Sequence, residues 1–163
     1  MERYDGTSGP SRPGDSAESG GSTSSQPAMP RVLVVEDQAL IALALVADLA
    51  AIGCEVVGRA GSGEAAVALA RRQAPDIVVM DVHLAGGMDG IAAATLIKAE
   101  CSPRLVFVTA YADGPDRARM EALRPVAILG KPYHPNELNL AINVCARQRM
   151  RRHAHQPAAG IAD

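Results

Sequence analysis

The chain has 163 residues, a formal net charge of −2 and 48% hydrophobic residues, with only 2% aromatic. This length suits one domain of ordinary size, and the near-neutral charge argues against recruitment of nucleic acid or anionic membrane by the overall field. No apolar run approaches the ~20 residues that a membrane span needs, and no signal-peptide stretch opens the chain. The three cysteines lack metal-binding or redox spacing, so we expect a reducing, cytoplasmic location.

Composition divides the chain into three parts. Residues 1–30 are rich in Ser, Gly and Pro and nearly free of aliphatic side chains, which predicts a disordered N-terminal tail. Residues 31–147 carry regular apolar patterning and are predicted to form the folded domain. Residues 148–163 are predicted to be a short, frayed C-terminal tail.

Short apolar runs alternate five times with helical segments. Runs of β-branched residues without polar alternation are typical of parallel strands that are covered on both faces. With right-handed crossovers, this pattern predicts an α/β fold of the flavodoxin-like class, a doubly wound five-stranded parallel sheet in the order 2-1-3-4-5 with five helices. The predicted strands are Val32–Val35, Val56–Gly58, Asp76–Asp81, Leu105–Val108 and Val126–Leu129; the predicted helices are Gln38–Ile52, Glu64–Gln73, Asp89–Glu100, Asp116–Leu123 and Pro135–Arg149.

The first helix has a predicted cap at each end. Asp37 immediately precedes it, and an aspartate there is expected to cap the first turn. Gly53 follows its last residue and is expected to stop it, since glycine adopts the left-handed conformation that closes many helices.

Polar side chains stand at the carboxyl ends of four predicted strands. Glu36 and Asp37 follow the first, Asp81 ends the third, Thr109 ends the fourth and Lys131 follows the fifth. In such sheets the carboxyl ends of strands one and three are adjacent, so the carboxylates converge and repel one another. A Mg²⁺ ion with oxygen ligands would resolve that conflict. A metal, a lysine and a hydroxyl around a carboxylate predict phosphoryl transfer to that carboxylate.

Four segments at these strand ends, taken together, resemble the receiver domain of bacterial two-component response regulators. They are Val34-Val35-Glu36-Asp37, Val78-Val79-Met80-Asp81, Val106-Phe107-Val108-Thr109-Ala110 and Gly130-Lys131-Pro132, and the resemblance covers residues 31–146. It implies that Asp81 is the phosphoryl acceptor. It implies further that Glu36, Asp37, Asp81 and the backbone carbonyl of His83 hold Mg²⁺.

The same resemblance assigns the remaining site residues. Thr109 would be the switch hydroxyl and Lys131 the phosphate-binding lysine, joined to Pro132 by a cis bond. Such a protein would catalyse only its own phosphorylation and dephosphorylation, so we expect a regulator and not a metabolic enzyme.

One position departs from the usual receiver pattern. Receivers carry Tyr or Phe three residues before the lysine, whereas this chain has Ile128, so rotation of an aromatic ring there cannot be the output signal. Tyr111 instead follows Thr109 and Ala110, which is similar to a group of single-domain receivers with a Thr-Gly-Tyr signature. This resemblance implies a stand-alone receiver whose switch comprises Thr109, Ala110 and Tyr111, although Ala110 stands where the signature has Gly.

The expected partners are proteins. The resemblance implies a histidine kinase or phosphotransferase as phosphoryl donor and a downstream protein as target. Fewer than about 20 residues follow the last helix, which argues against a DNA-binding module, and we expect a monomer or weak homodimer. Helical periodicity turns Leu40, Leu43 and Ala47 of the first helix outward, and we expect this patch to dock the kinase or a second copy.

Two other functions are compatible with parts of the sequence. Gly61-Ser62-Gly63 begins a dinucleotide-binding pattern, with Asp81 at the distance of the ribose-binding acid, but this reading gives Lys131 no task. An aspartyl phosphatase also needs an aspartate at a strand end, but its general acid would stand two residues on, where this chain has His83.

Overall fold

The computed structural model describes residues 29–154, and the surroundings of side chains for residues 29–147. The predictions for residues 1–28 and 155–163 lie outside the described residues. The strands are β1 (Arg31–Val35), β2 (Glu55–Ala60), β3 (Ile77–Met80), β4 (Arg104–Thr109) and β5 (Ala127–Gly130). The helices are α1 (Ala39–Ala51), α2 (Gly63–Gln73), α3 (Gly90–Cys101), α4 (Arg117–Ala122) and α5 (Pro135–Ala154).

The five strands form one parallel sheet in the order β2-β1-β3-β4-β5. The predicted flavodoxin-like fold is therefore confirmed. The central strands β1 and β3 read as continuous apolar runs because both of their faces are covered, and their buried residues have almost no exposed surface.

Each face of the sheet has its own hydrophobic core. Alternate residues of a strand point to opposite faces, so the strands divide their side chains between the two cores. One core joins the sheet to α2, α3 and α4 and includes Leu33, Val78, Phe107, Val67, Ile97 and Met120. The other joins it to α1 and α5 and includes Val34, Val79, Val106, Leu45, Leu49, Leu138 and Ile142.

The two predicted caps of α1 have different outcomes. Gly53 has φ +86° directly after the end of the helix, which confirms its predicted role as a stop. The prediction that Asp37 caps α1 is wrong. Gln38 occupies the capping position without a side-chain bond, and the Asp37 carboxylate instead accepts a hydrogen bond from the Ala85 amide at 3.2 Å. A contact with a loop 48 residues away therefore outcompetes the local cap.

The last helix is longer than predicted. It continues past Arg149 to at least Ala154, the last described residue, because no proline or glycine interrupts the arginine-rich segment. Residues 148–154 of the predicted tail are therefore helical. Of the described helices, none is long and apolar enough to cross a membrane. Cys54, Cys101 and Cys145 are all free thiols, and the cytoplasmic location stays a prediction.

Candidate functional site

Two buried carboxylates lie side by side at the carboxyl edge of the sheet. Val35 pairs with Met80 across β1 and β3, so the next residues, Glu36 and Asp81, emerge together. Glu36 is 3% exposed and Asp81 is 5% exposed. The Lys131 ammonium donates to both, at 2.5 Å from Glu36 Oε2 and 2.7 Å from Asp81 Oδ2. Side chains that are up to 95 residues apart in the sequence therefore meet at one point.

A third carboxylate completes the cluster from the solvent side. Asp37 is exposed, and one oxygen each from Glu36, Asp37 and Asp81 lie within 4.8 Å of one another. The second Asp81 oxygen, Oδ1, accepts a hydrogen bond from the His83 amide at 3.2 Å. Four of the predicted site residues, Glu36, Asp37, Asp81 and Lys131, are thus brought together, whereas the metal-binding role of the His83 carbonyl stays a prediction.

Negative charge outweighs positive charge at this edge. Burial raises the pKa of Glu36, although its hydrogen bonds to Lys131 and to the Gln38 amide act against that rise. Burial alone would lower the pKa of Lys131, but the bonds to Asp81 and Glu36 raise it, so the ammonium stays charged. A cluster of three carboxylates thus contains one cation, which bonds to two of them. A small number of carboxylate oxygens, partly open to water, is a donor set that fits Mg²⁺.

The residue predicted to supply the switch hydroxyl is bonded to the lysine through the backbone. Thr109 is fully buried at the end of β4, next to Gly130 in the register of β5, and its carbonyl accepts the Lys131 amide at 2.8 Å. Its Oγ1 accepts the Tyr111 amide at 3.4 Å. Ala110 and Tyr111 are exposed, and the Tyr111 ring meets the His83 ring edge to face at a centroid distance of 5.3 Å.

Sequence reasoning missed a network of polar side chains that joins two loops above the site. His83 Nε2 lies 3.8 Å from Asp116 Oδ2, and Arg119 bonds both to Asp116 Oδ1 at 2.7 Å and to Asp89 Oδ2 at 3.0 Å. Asp89 also caps α3 by accepting the Ala92 amide. The only sequence signal was the position of Asp89 before a helix. The network links the loop that carries Asp81 to the start of α4.

The outer face of α1 is apolar and exposed, as its periodicity predicted. Leu40 is 83% exposed and Leu43 is 53% exposed, and Ala47 is also exposed. The opposite face buries Ala42, Leu45 and Leu49. The orientation of the patch is confirmed, and its role in docking stays a prediction.

The second glycine of the dinucleotide-like pattern has a packing explanation. Ser62 caps α2 by accepting the Ala65 amide at 3.2 Å. A Cβ at Gly63 would lie 2.8 Å from the Met88 side chain and backbone, so close packing requires glycine there. Asp81, which this pattern would use as the ribose-binding acid, accepts a hydrogen bond from Lys131. The dinucleotide-binding alternative has no support in this arrangement.

Comparison with known proteins finds two regulatory proteins that are similar to this chain in sequence. The chain is 38% identical over 126 residues to the transcriptional regulatory protein PdtaR of Mycobacterium tuberculosis, covering 77% of this chain and 61% of PdtaR. It is 30% identical over 129 residues to the phyllosphere-induced regulator PhyR of Methylorubrum extorquens, covering 76% of this chain and 47% of PhyR. The chain thus spans less than two thirds of these curated relatives.

A solved structure shares both the fold and part of the sequence. The signal receiver domain of a modulated diguanylate cyclase from Desulfovibrio desulfuricans G20 has a TM-score of 0.71 and 31% identity, covering 76% of this chain and 98% of that domain. The family profile described as the response regulator receiver domain matches residues 32–143. The chain therefore belongs to the response regulator receiver domain family.

Proposed function

We propose that this receiver accepts a phosphoryl group on Asp81 from a histidine kinase or phosphotransferase, and signals through contacts with other proteins that depend on phosphorylation. The observation that carries the proposal is the bridge from Lys131 to Glu36 and Asp81 within a cluster of three carboxylates. The alternative is that Lys131 only stabilises the fold as one half of an ion pair. An ion pair needs one carboxylate for each cation, and this cluster has two carboxylates more than that.

The transfer needs little covalent chemistry from the protein. An Asp81 carboxylate oxygen attacks the phosphorus, the bond from phosphorus to the donor nitrogen breaks, and the donor imidazole leaves with that electron pair. The Lys131 ammonium pairs with an incoming phosphoryl oxygen, and the Thr109 hydroxyl donates to another. Mg²⁺ held by Glu36, Asp37, Asp81 and the His83 carbonyl would supply neutralising charge for these oxygens. Hydrolysis of the acyl phosphate later restores Asp81.

The output runs through the segment from Thr109 to Tyr111. Thr109 is buried next to Lys131, whereas Tyr111, two residues on, is 62% exposed. A hydroxyl bond to the phosphoryl group would shift this short segment, and Tyr111 would change its contact with His83. Ile128 is aliphatic and partly buried against the core, so it offers no aromatic ring to rotate.

The kinase docks on the outer face of α1. An exposed apolar patch on α1 consists of Leu40, Leu43 and Ala47. This helix has no acidic residue in its first turn and no basic residue in its last turn, which are the charges that favour a solvated helix end. The substitution Leu43→Glu should leave folding and phosphorylation by a small-molecule donor intact and abolish transfer from the kinase. Leu96→Glu on α3, at a residue that is 42% exposed, is the matched control.

The phosphorylation experiment uses acetyl phosphate or phosphoramidate with Mg²⁺ and follows the mass of the intact protein. The wild type should gain one phosphoryl group, and Asp81→Asn should gain none. Asp113→Asn, at a side chain that is 94% exposed, is a control that should label like the wild type. Equal labelling of wild type and Asp81→Asn would overturn the proposal, and turnover of a simple phosphomonoester would favour the phosphatase instead.

A further inference from the structure

The helix α1 contains one polar residue. Its thirteen positions are otherwise Ala, Leu, Ile and Val, and the exception is Asp48 in the last turn. A carboxylate there faces the negative end of the helix dipole, and aspartate is a poor helix former. Asp48 is half-buried, so water satisfies it only in part. The residue is unfavourable for the helix itself, and its contact elsewhere explains its presence.

That contact is with a tyrosine beside the site. The Tyr133 hydroxyl donates to Asp48 Oδ2 at 2.7 Å, across 85 residues of sequence. The Tyr133 ring packs against the core between the sheet, α1 and α5. Burial and the hydrogen bond to Asp48 raise the pKa of the phenol, so the hydroxyl keeps its proton and donates to a carboxylate, which is a strong type of hydrogen bond.

Tyr133 stands two residues after Lys131 in the segment between β5 and α5. Strand β5 ends at Gly130 and α5 begins at Pro135, so four residues lie between them. At the helix end of this segment, the His134 amide donates to the Glu137 carboxylate at 2.7 Å and the His134 carbonyl accepts the Glu137 amide at 2.8 Å. Lys131 is held at its amide by the Thr109 carbonyl and at its ammonium by Glu36 and Asp81. Between these two attachments, the bond from the Tyr133 hydroxyl to Asp48 ties the segment to α1.

We propose that Tyr133 is a positioning residue for Lys131, and that it acts through its hydroxyl bond to Asp48 on α1. The bond fixes the path of the backbone after Lys131, so that the ammonium reaches the oxygens of the acceptor site. The proposal rests on the proposed function insofar as it concerns phosphorylation. The geometry of the lysine can be tested without it.

The chain offers an internal control for that geometry, because Lys98 and Lys131 are its only lysines. Competitive acetylation with trace acetic anhydride, quantified by peptide mass spectrometry, reports the accessibility of each amine. In Tyr133→Phe, which removes only the hydroxyl, acetylation of Lys131 should rise by about threefold or more. Acetylation of Lys98, which donates to the Leu123 carbonyl, should stay unchanged. The rate of phosphorylation by acetyl phosphate should fall by about tenfold.

Variants at Asp48 separate positioning from general stability. Asp48→Ala removes the acceptor and should behave like Tyr133→Phe, whereas Asp48→Asn keeps an acceptor oxygen and should restore both readouts. Ile77→Val, in the core at the opposite end of β3, provides a moderately destabilised control and should change neither readout.

Two outcomes would overturn parts of the account separately. If Tyr133→Phe lowers the melting temperature but leaves Lys131 acetylation and the phosphorylation rate as in the wild type, the bond is only structural and the positioning proposal fails. If the wild type accepts no phosphoryl group, the proposed function fails, and the acetylation of Lys131 still decides whether Tyr133 positions it.

Discussion

The two edges of the sheet use charge in opposite ways. At the amino edge, Arg31 donates to the Gln73 carbonyl at the end of α2 at 2.6 Å, its amide bonds to Asp76, and its guanidinium lies 3.8 Å from Glu55. These charges close a helix end and join β1 to its neighbours. At the carboxyl edge, two of three clustered carboxylates share the single ammonium of Lys131, and the third, Asp37, has no contact with it.

The difference indicates that charges at the amino edge stabilise the fold, whereas charges at the carboxyl edge serve function. Charges at the amino edge are compensated by opposite charge or by a helix dipole, so removing one should cost stability and leave function intact. Charges at the carboxyl edge are in excess, so removing a carboxylate should cost function and spare stability.

The largest effect is expected from Lys131→Met. This variant removes the cation that faces the acceptor oxygens, so the phosphorylation rate with acetyl phosphate should fall by about 100-fold. It also leaves Glu36 and Asp81 buried without their partner, which should lower the free energy of unfolding in metal-free buffer by about 3 kcal/mol. Lys98→Met is the control for the rate. A Lys131→Met protein that labels as fast as the wild type would refute the role of the lysine.

Neutralising one of the three clustered carboxylates should raise the stability, in contrast to Lys131→Met. Glu36→Gln removes a buried acid whose pKa burial raises, so the metal-free melting temperature should rise by about 3 °C. Mg²⁺ should stabilise the wild type by about 2.7 kcal/mol at 100 times its dissociation constant, and much less in the variant. Glu55→Gln, at the amino edge, should keep the full Mg²⁺ effect. An undiminished Mg²⁺ effect in Glu36→Gln would argue against this site.

The amino edge should respond to substitution in stability alone. Arg31→Met removes the donor to the Gln73 and Ala74 carbonyls, which should lower the free energy of unfolding in urea by about 1 kcal/mol. The phosphorylation rate at saturating Mg²⁺ should stay as in the wild type. A slower phosphorylation rate in this variant would contradict the claim that the amino edge affects stability alone.

The smallest effect on the chemistry is expected at the rim of the carboxyl edge. Tyr111→Ala removes an exposed ring that contacts His83, and the phosphorylation rate should stay within about twofold of the wild type. Signalling in the source cell should nevertheless weaken, because the switch segment loses its exposed side chain. Loss of phosphorylation itself would contradict the assignment of Tyr111 to the output.

Local sequence patterns predicted the helices, the strands and the strand order. They failed where a side chain bonds to a residue far away in the sequence. Apolar runs and the residues at their ends were enough to bring Glu36, Asp81, Thr109 and Lys131 to one edge. The prediction for Asp37 failed because the Ala85 amide, not the adjacent helix, takes its carboxylate. The bond from Tyr133 to Asp48 spans 85 residues, and no spacing rule relates two such positions.

The most direct test of the account is to locate the phosphoryl group chemically. Borohydride reduces an aspartyl phosphate to homoserine, which peptide mass spectrometry distinguishes from aspartate. After treatment with acetyl phosphate and Mg²⁺, we expect homoserine at position 81 and retention of aspartate at position 37. Homoserine at Asp37, or its absence from a protein that has gained phosphate, would contradict the assignment of Asp81 as the acceptor.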